Sequence, residues 1–233
     1  ESSFNEYTAK ESTFDQSFTI HSSEFDEEVN LHGSVISSDL IFGECSMYSI
    51  NLIASKVEEL HFHDCKINSL CDLSKSDISY IHFDIIVLGE FLWVNGVESK
   101  IGSGLIRQSG EINTLYDFTS ATLGDIEVRS DNKGNELDGI QFSETNFTGF
   151  DFTKYVEYLN ENNWEFDKFS AETNEKLEEE NMTDQIAGKE LKEKFESEIL
   201  YRDIFNPKLS RVITYQKARR GASSGGDTQA SSE

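Results

Sequence analysis

The run from Ile20 to Leu70, IHSSEFDEEVNLHGSVISSDLIFGECSMYSINLIASKVEELHFHDCKINSL, decides the fold. An apolar or thiol side chain returns in it every fifth residue: Ile20, Phe25, Val35, Leu40, Cys45, Ile50, Leu60, Cys65 and Leu70, with Asn30 and Ser55 breaking the count. A helix repeats near 3.6 residues and a strand at two, so a sustained five fits neither. A chain that turns a corner every few residues and lays each coil on the last does fit, burying one residue per side. A second apolar residue often sits two places on, as in Leu40/Phe42, Ile50/Leu52, Leu60/Phe62 and Ile81/Phe83. The recurrence of these pairs predicts coils of about twenty residues, with one residue inserted near Ser74–Asp77. The expected architecture is a mainly β chain, a right-handed parallel β-solenoid of pentapeptide-repeat-like pattern from about Phe18 to Phe152, followed by C-terminal α-helices.

Working outward, Glu1 to Ser17 is polar with isolated Phe4, Tyr7 and Phe14, and reads as an entry coil or cap over the first open edge. Polar residues that precede inward positions, such as Ser34, Asp39, Glu44 and Asp64, read as turn formers and solvated surface. Between Ile85 and Glu136 the five-count lapses. Phe91–Val94, Ile112–Phe118 and Ile126–Val128 still read as strands, punctuated by Gly102, Gly104, Gly110 and Gly124, with a loop at Asp131–Asn135. The count returns at Phe142, Phe147 and Phe152, with Ile140, Thr145 and Phe150 two places before each. A short amphipathic helix over Thr153–Asn160, turning Tyr155, Val156 and Leu159 inward, closes a solenoid unit spanning residues 1–168. Residues 169–206, rich in Glu and Lys, read as an acidic helical connector. Pro207 after Asn206 opens a helix with Leu209, Val212, Tyr215, Ala218 and Ala222 on one face. Gly221 and then Gly225–Gly226 are expected to end that helix or loosen its last turn, and Asp227 to cap another. Residues 207–233 thus read as the start of a helical hairpin, held only weakly because its stripe is narrow and small-sided.

The chain carries 44 acidic and 20 basic residues, a formal charge of -24. That charge repels phosphate and anionic lipid, so no direct nucleic-acid binding is expected. Three cysteines without a small-domain framework suggest a reducing compartment, and Cys45 and Cys65 read as an inward ladder of free thiols. No signal peptide is recognisable, and Ile85–Val94 is too short to span a bilayer, so membrane contact is expected only through a segment outside this chain. No phosphate-binding glycine loop, nucleophile elbow or paired acid and base stands out, and the chain reads as non-enzymatic with no cofactor. One cluster does suggest chemistry. With Leu60 and Phe62 inward, His61 and His63 point outward on one strand. His82 and Asp84, a coil later, should stack beside them, a set of donors suited to zinc or nickel.

The five-count resembles pentapeptide-repeat solenoids, although Tyr48, Glu58 and His63 occupy places where that pattern favours small residues. Ser120–Asp125 (SATLGD), Thr145–Phe152 (TNFTGFDF) and the tail residues Thr214, Tyr215, Lys217, Ala218, Gly221, Ala222, Gly226, Asp227, Ala230, Ser232 and Glu233 are more specific. They are similar to the segment that archaeal, largely haloarchaeal, pentapeptide-repeat membrane proteins carry after their solenoid. The resemblance implies a cytoplasmic scaffold or regulatory part at the inner face of a membrane, in some relatives attached to a two-helix cation-channel domain. It implies self-association or a protein partner, and no catalytic residues. Two other readings fit an acidic solenoid: a DNA mimic that binds a topoisomerase-like partner, and a carbohydrate-active enzyme.

Overall fold

The computed structural model describes residues 2–86, 92–108, 114–130, 136–164 and 207–225. The chain is wound into a parallel β-solenoid of about six turns, with short helices at its C-terminal end. The first coil carries β1 (Ser2–Phe4), β2 (Tyr7–Thr8), β3 (Thr13–Phe14) and β4 (Phe18–His21). The regular middle is built from β5 (Ser23–Asn30), β6 (Val35–Gly43), β7 (Ser46–Asn51), β8 (Lys56–Asp72) and β9 (Asp77–Ile86). Then come β10 (Leu92–Asn95), β11 (Lys100–Gln108), β12 (Thr114–Asp117), β13 (Thr122–Ser130), β14 (Ile140–Gln141) and β15 (Asn146–Phe147). Coil length varies: Leu40 lies on Leu60, twenty residues on, and Tyr116 on Ile140, twenty-four on.

The inward residues come in pairs two apart, Leu40/Phe42, Cys45/Met47, Ile50/Leu52, Ser55/Val57, Leu60/Phe62 and Cys65/Ile67, and every one is buried. Stacking sets like on like. Phe42, Phe62, Phe83 and Ile106 form one column, with the first two rings 5.2 Å apart and the next pair 5.3 Å. Each such side chain contributes about 1.5–3 kcal/mol on burial, which offsets the cost of ordering its coil. Cys45 and Cys65 are buried free thiols, as the ladder reading expects, and Cys71 is a third.

The strict count fails where a coil carries an extra residue. Val35, expected inside, is 38% exposed, while Ser34 and Ile36 are buried. The cause is a register shift between Ile36 and Asp39, where β6 spends one residue more than β8. Leu70 is half-buried and Cys71 takes the inner place, because β8 gains a residue between Ile67 and Leu70. The insertion therefore falls there and not near Ser74–Asp77. Ser34 is likewise a core residue and not solvated surface. Gly102, Gly104 and Gly124 lie within β11 and β13 and do not punctuate them. At Gly124 a Cβ would stand 1.8 Å from the Gly102 carbonyl oxygen, so only glycine allows the two coils to meet. The loop at Asp131–Asn135 and the connector at 169–206 lie outside the described residues.

One corner recurs on every coil, and its signal is polar. Asn30-Leu-His-Gly-Ser34, Asn51-Leu-Ile-Ala-Ser55, Asp72-Leu-Ser-Lys-Ser76, Asn95-Gly-Val-Glu-Ser99, Asp117-Phe-Thr-Ser-Ala121 and Gln141-Phe-Ser-Glu-Thr145 stack in register. The first side chain of most pentads accepts a hydrogen bond from the N–H two residues on, as in Ile53 N to Asn51 Oδ1 at 3.1 Å and Thr119 N to Asp117 Oδ1 at 2.9 Å. The fourth residue is left-handed, with φ of 67° at Gly33, 55° at Ala54, 59° at Lys75 and 57° at Glu98. The last side chain points inward and, where it is Ser or Thr, donates to a carbonyl, as in Ser55 Oγ to Leu31 O at 2.8 Å and Thr145 Oγ1 to Phe118 O at 2.7 Å. Buried backbone oxygens that a turn would orphan are thus satisfied.

Phe142, Phe147, Phe150 and Phe152 close the core as expected. A 3-10 turn at Phe152–Tyr155, capped by Asp151, leads into α1 (Val156–Glu161), which buries Tyr158 and Leu159 beside Tyr155. The tail helix, α2 (Pro207–Gly225), opens at Pro207 as expected, and of the anticipated stripe Ala218 and Ala222 are buried and Tyr215 packs against the core. Val212 is 52% exposed, and the buried residues are Thr214, Ala218 and Ala222. Thr214 Oγ1 accepts from the Glu144 N–H at 2.7 Å, and Lys217 donates to the Glu144 carbonyl. Gly221 lies inside the helix, which runs to Gly225: a Cβ at Gly221 would stand 2.6 Å from the Phe147 carbonyl oxygen. Small residues let this face approach the last coil closely.

Candidate metal centre

Strand alternation and coil register together build one outward cluster. Leu60 and Phe62 fill the core from β8, and Ile81 and Phe83 from β9, so His61, His63 and His82 emerge on the outer face. The parallel register sets His61 beside His82. The His63 and His82 rings meet edge to face at 4.8 Å, and the His61 ring lies 5.5 Å from His63 and 6.1 Å from His82. One nitrogen from each ring lies within 4.8 Å of the other two, and all three side chains are half-buried.

The surroundings tune these rings. Glu59 Oε2 meets His61 Nε2 at 3.0 Å, and the Tyr80 ring lies 5.6 Å from that imidazole. His82 Nε2 is buried without a hydrogen-bond partner. Burial first, then the neighbouring His63, His61 and Arg107, holds the His82 pKa below the usual imidazole value. A lowered pKa favours the neutral ring, the form that offers a lone pair to a cation.

Asp84, expected beside His63, does not join the cluster. Its Oδ2 accepts from Arg107 Nη1 at 3.0 Å, and that ion pair holds the carboxylate on the next coil. Two contributors were not legible as such in the sequence. Glu59 sits two places before His61, a spacing visible only once the strand is known. His21 covers Gly43, where a Cβ would stand 2.2 Å from its ring. Gly43 is the register partner of both His21 and His63, so His21 bounds the His63 side of the cluster.

The donor set is three imidazole nitrogens with one adjacent carboxylate, which suits a borderline divalent ion better than calcium or magnesium. The fold defines a β-solenoid consistent with the pentapeptide-repeat class. No family model, curated protein or solved structure matches this chain.

Proposed function

We propose that the chain is a non-enzymatic solenoid scaffold that docks protein, a second copy or another partner, through its N-terminal end. The observation that supports this is the asymmetry of the two ends. At the C-terminal end α2 packs over β15 and hydrogen-bonds to Glu144. At the other end the residues read as an entry coil or cap add one more coil. β1 and β2 pair with β5, and β3 and β4 with β6, and among the described residues nothing pairs their outer edge. The rim of that coil is aromatic: Phe4 is 47% exposed, and Phe14 and Tyr7 stack on Phe18 at 5.0 and 5.6 Å. An open row of backbone donors and acceptors beside apolar rings is a template for strand addition.

On the resemblance of residues 214–233, the same reading takes the solenoid for the cytoplasmic part of a membrane-tethered pentapeptide-repeat protein. No described helix is long and apolar enough to cross a membrane, so the tether would be another segment. Light scattering across a concentration series tests the docking, together with capture of binding proteins on the immobilised chain. Association that Phe4→Lys removes is the expected result. A wild type that is monomeric throughout and retains nothing that Phe4→Lys loses would count against it.

A further inference from the structure

We propose that His61, His63 and His82 form a surface site for one divalent transition metal of the zinc, cobalt or nickel type, with Glu59 fixing the ligand geometry of His61. This is independent of the docking proposed above. Three observations converge. The three imidazoles come from two coils held in register by the buried Phe62 and Phe83, so their separation is set by the core and not by flexible side chains alone. Tetrahedral zinc with Zn–N bonds of about 2.0–2.1 Å sets its nitrogens about 3.3–3.4 Å apart. The ligand atoms here already lie within 4.8 Å of one another, and half-buried rings need only small χ rotations to close the difference.

The second observation is the hydrogen-bond pattern. With Glu59 on Nε2 of His61, the neutral ring donates there and carries its lone pair on Nδ1. A carboxylate behind a ligating histidine is the usual outer-sphere arrangement of such sites, and it raises the basicity of the ligand. The third is the unsatisfied Nε2 of His82. A buried polar atom without a partner is costly in a ladder that otherwise meets its hydrogen bonds, and a metal ion would satisfy it. The three protein ligands leave a fourth position to water or to a donor from a docked molecule.

The Arg107–Asp84 pair stands outside this set. Its guanidinium opposes a cation beside His82, while the carboxylate 3.0 Å away cancels most of that charge.

The test is titration of the metal-free full chain with cobalt(II) chloride, followed by visible absorption, and with zinc chloride by calorimetry. One equivalent should bind with a d–d spectrum of nitrogen ligation. His82→Ala and His63→Ala should each lose it by more than the ~10–100-fold that an outer-sphere change costs, and Glu59→Gln should weaken it within that range. His32→Ala should leave the stoichiometry and spectrum unchanged. Strand circular dichroism reports whether each variant folds, and if His82→Ala does not, His63→Gln takes its place. No uptake at millimolar zinc, or uptake that survives loss of His63 and His82, would overturn the proposal. The second outcome would assign the metal to surface carboxylates.

Discussion

Tyr155 lies under the last coils, buried, with its hydroxyl oxygen accepting the Val128 N–H at 2.6 Å. Desolvation is the main cause that pushes its pKa up to about 12. Burial likewise pushes Tyr116 and Tyr158 above the ordinary range. An acid whose folded pKa exceeds its unfolded value of about 10 stabilises the fold below pH 10 and loses that contribution as pH rises toward the folded value. Urea midpoints should therefore be level from pH 8 to 10 and fall between pH 10 and 12. Tyr155→Phe should lower the midpoint at pH 8, by about 1–3 kcal/mol for an orphaned Val128 N–H, and soften the alkaline fall. An unchanged alkaline slope would mean that the other tyrosines carry it. Asp72 shows a second residue-scale rule. It accepts from Ser74 N at 3.0 Å and from Asn95 Nδ2 at 3.2 Å, and the column alternates Asn51, Asp72, Asn95, Asp117. Amide between carboxylates keeps like charges from stacking on adjacent coils.

At the scale of the strand, the five-count was legible and sufficient from Leu40 to Ile67, because side chains alternate in direction and each corner consumes a fixed number of residues. It failed at Val35 and Leu70, where a bulge adds a residue without changing the apolar pattern nearby. The corner pentads were equally present in the sequence. They are polar, so a reading that followed hydrophobic recurrence passed over them. The three histidines were legible for the converse reason: alternation next to two secure core residues fixes their direction. Asp84 was not, since the partner that claims it, Arg107, lies twenty-three residues on. These differences make a paired test. Leu60→Asp places an unpaired charge in the core and should abolish cooperative folding, whereas Val35→Asp should stay within about 0.5 kcal/mol of wild type. Equal damage from both would put Val35 back inside.

Across the whole molecule, the ends differ more than the coils do. Of the helical stripe anticipated from Leu209, Val212, Tyr215, Ala218 and Ala222, the two alanines are buried and Tyr215 packs on the core, Val212 faces out, and Thr214 and Gly221 complete the contact. Close approach of helix to coil requires small residues, and nothing in the tail alone says that Phe147 will be its floor. Gly221→Ala should push α2 from β15 and speed hydrogen exchange at the Glu144 amide, which Thr214 otherwise holds, by at least about tenfold for each 1.4 kcal/mol lost. Full protection in the variant would show that the helix has room to spare. Because each coil bonds only to its neighbours, one end latched by α2 and one whose outer edge no described residue pairs also give the described solenoid a direction under load. Pulled from its termini, it should unravel from the N-terminal side in steps. Each step would release a coil of 20 to 24 residues, or about 7–8 nm of chain, so that the molecule would yield like a ratchet and not break as one body.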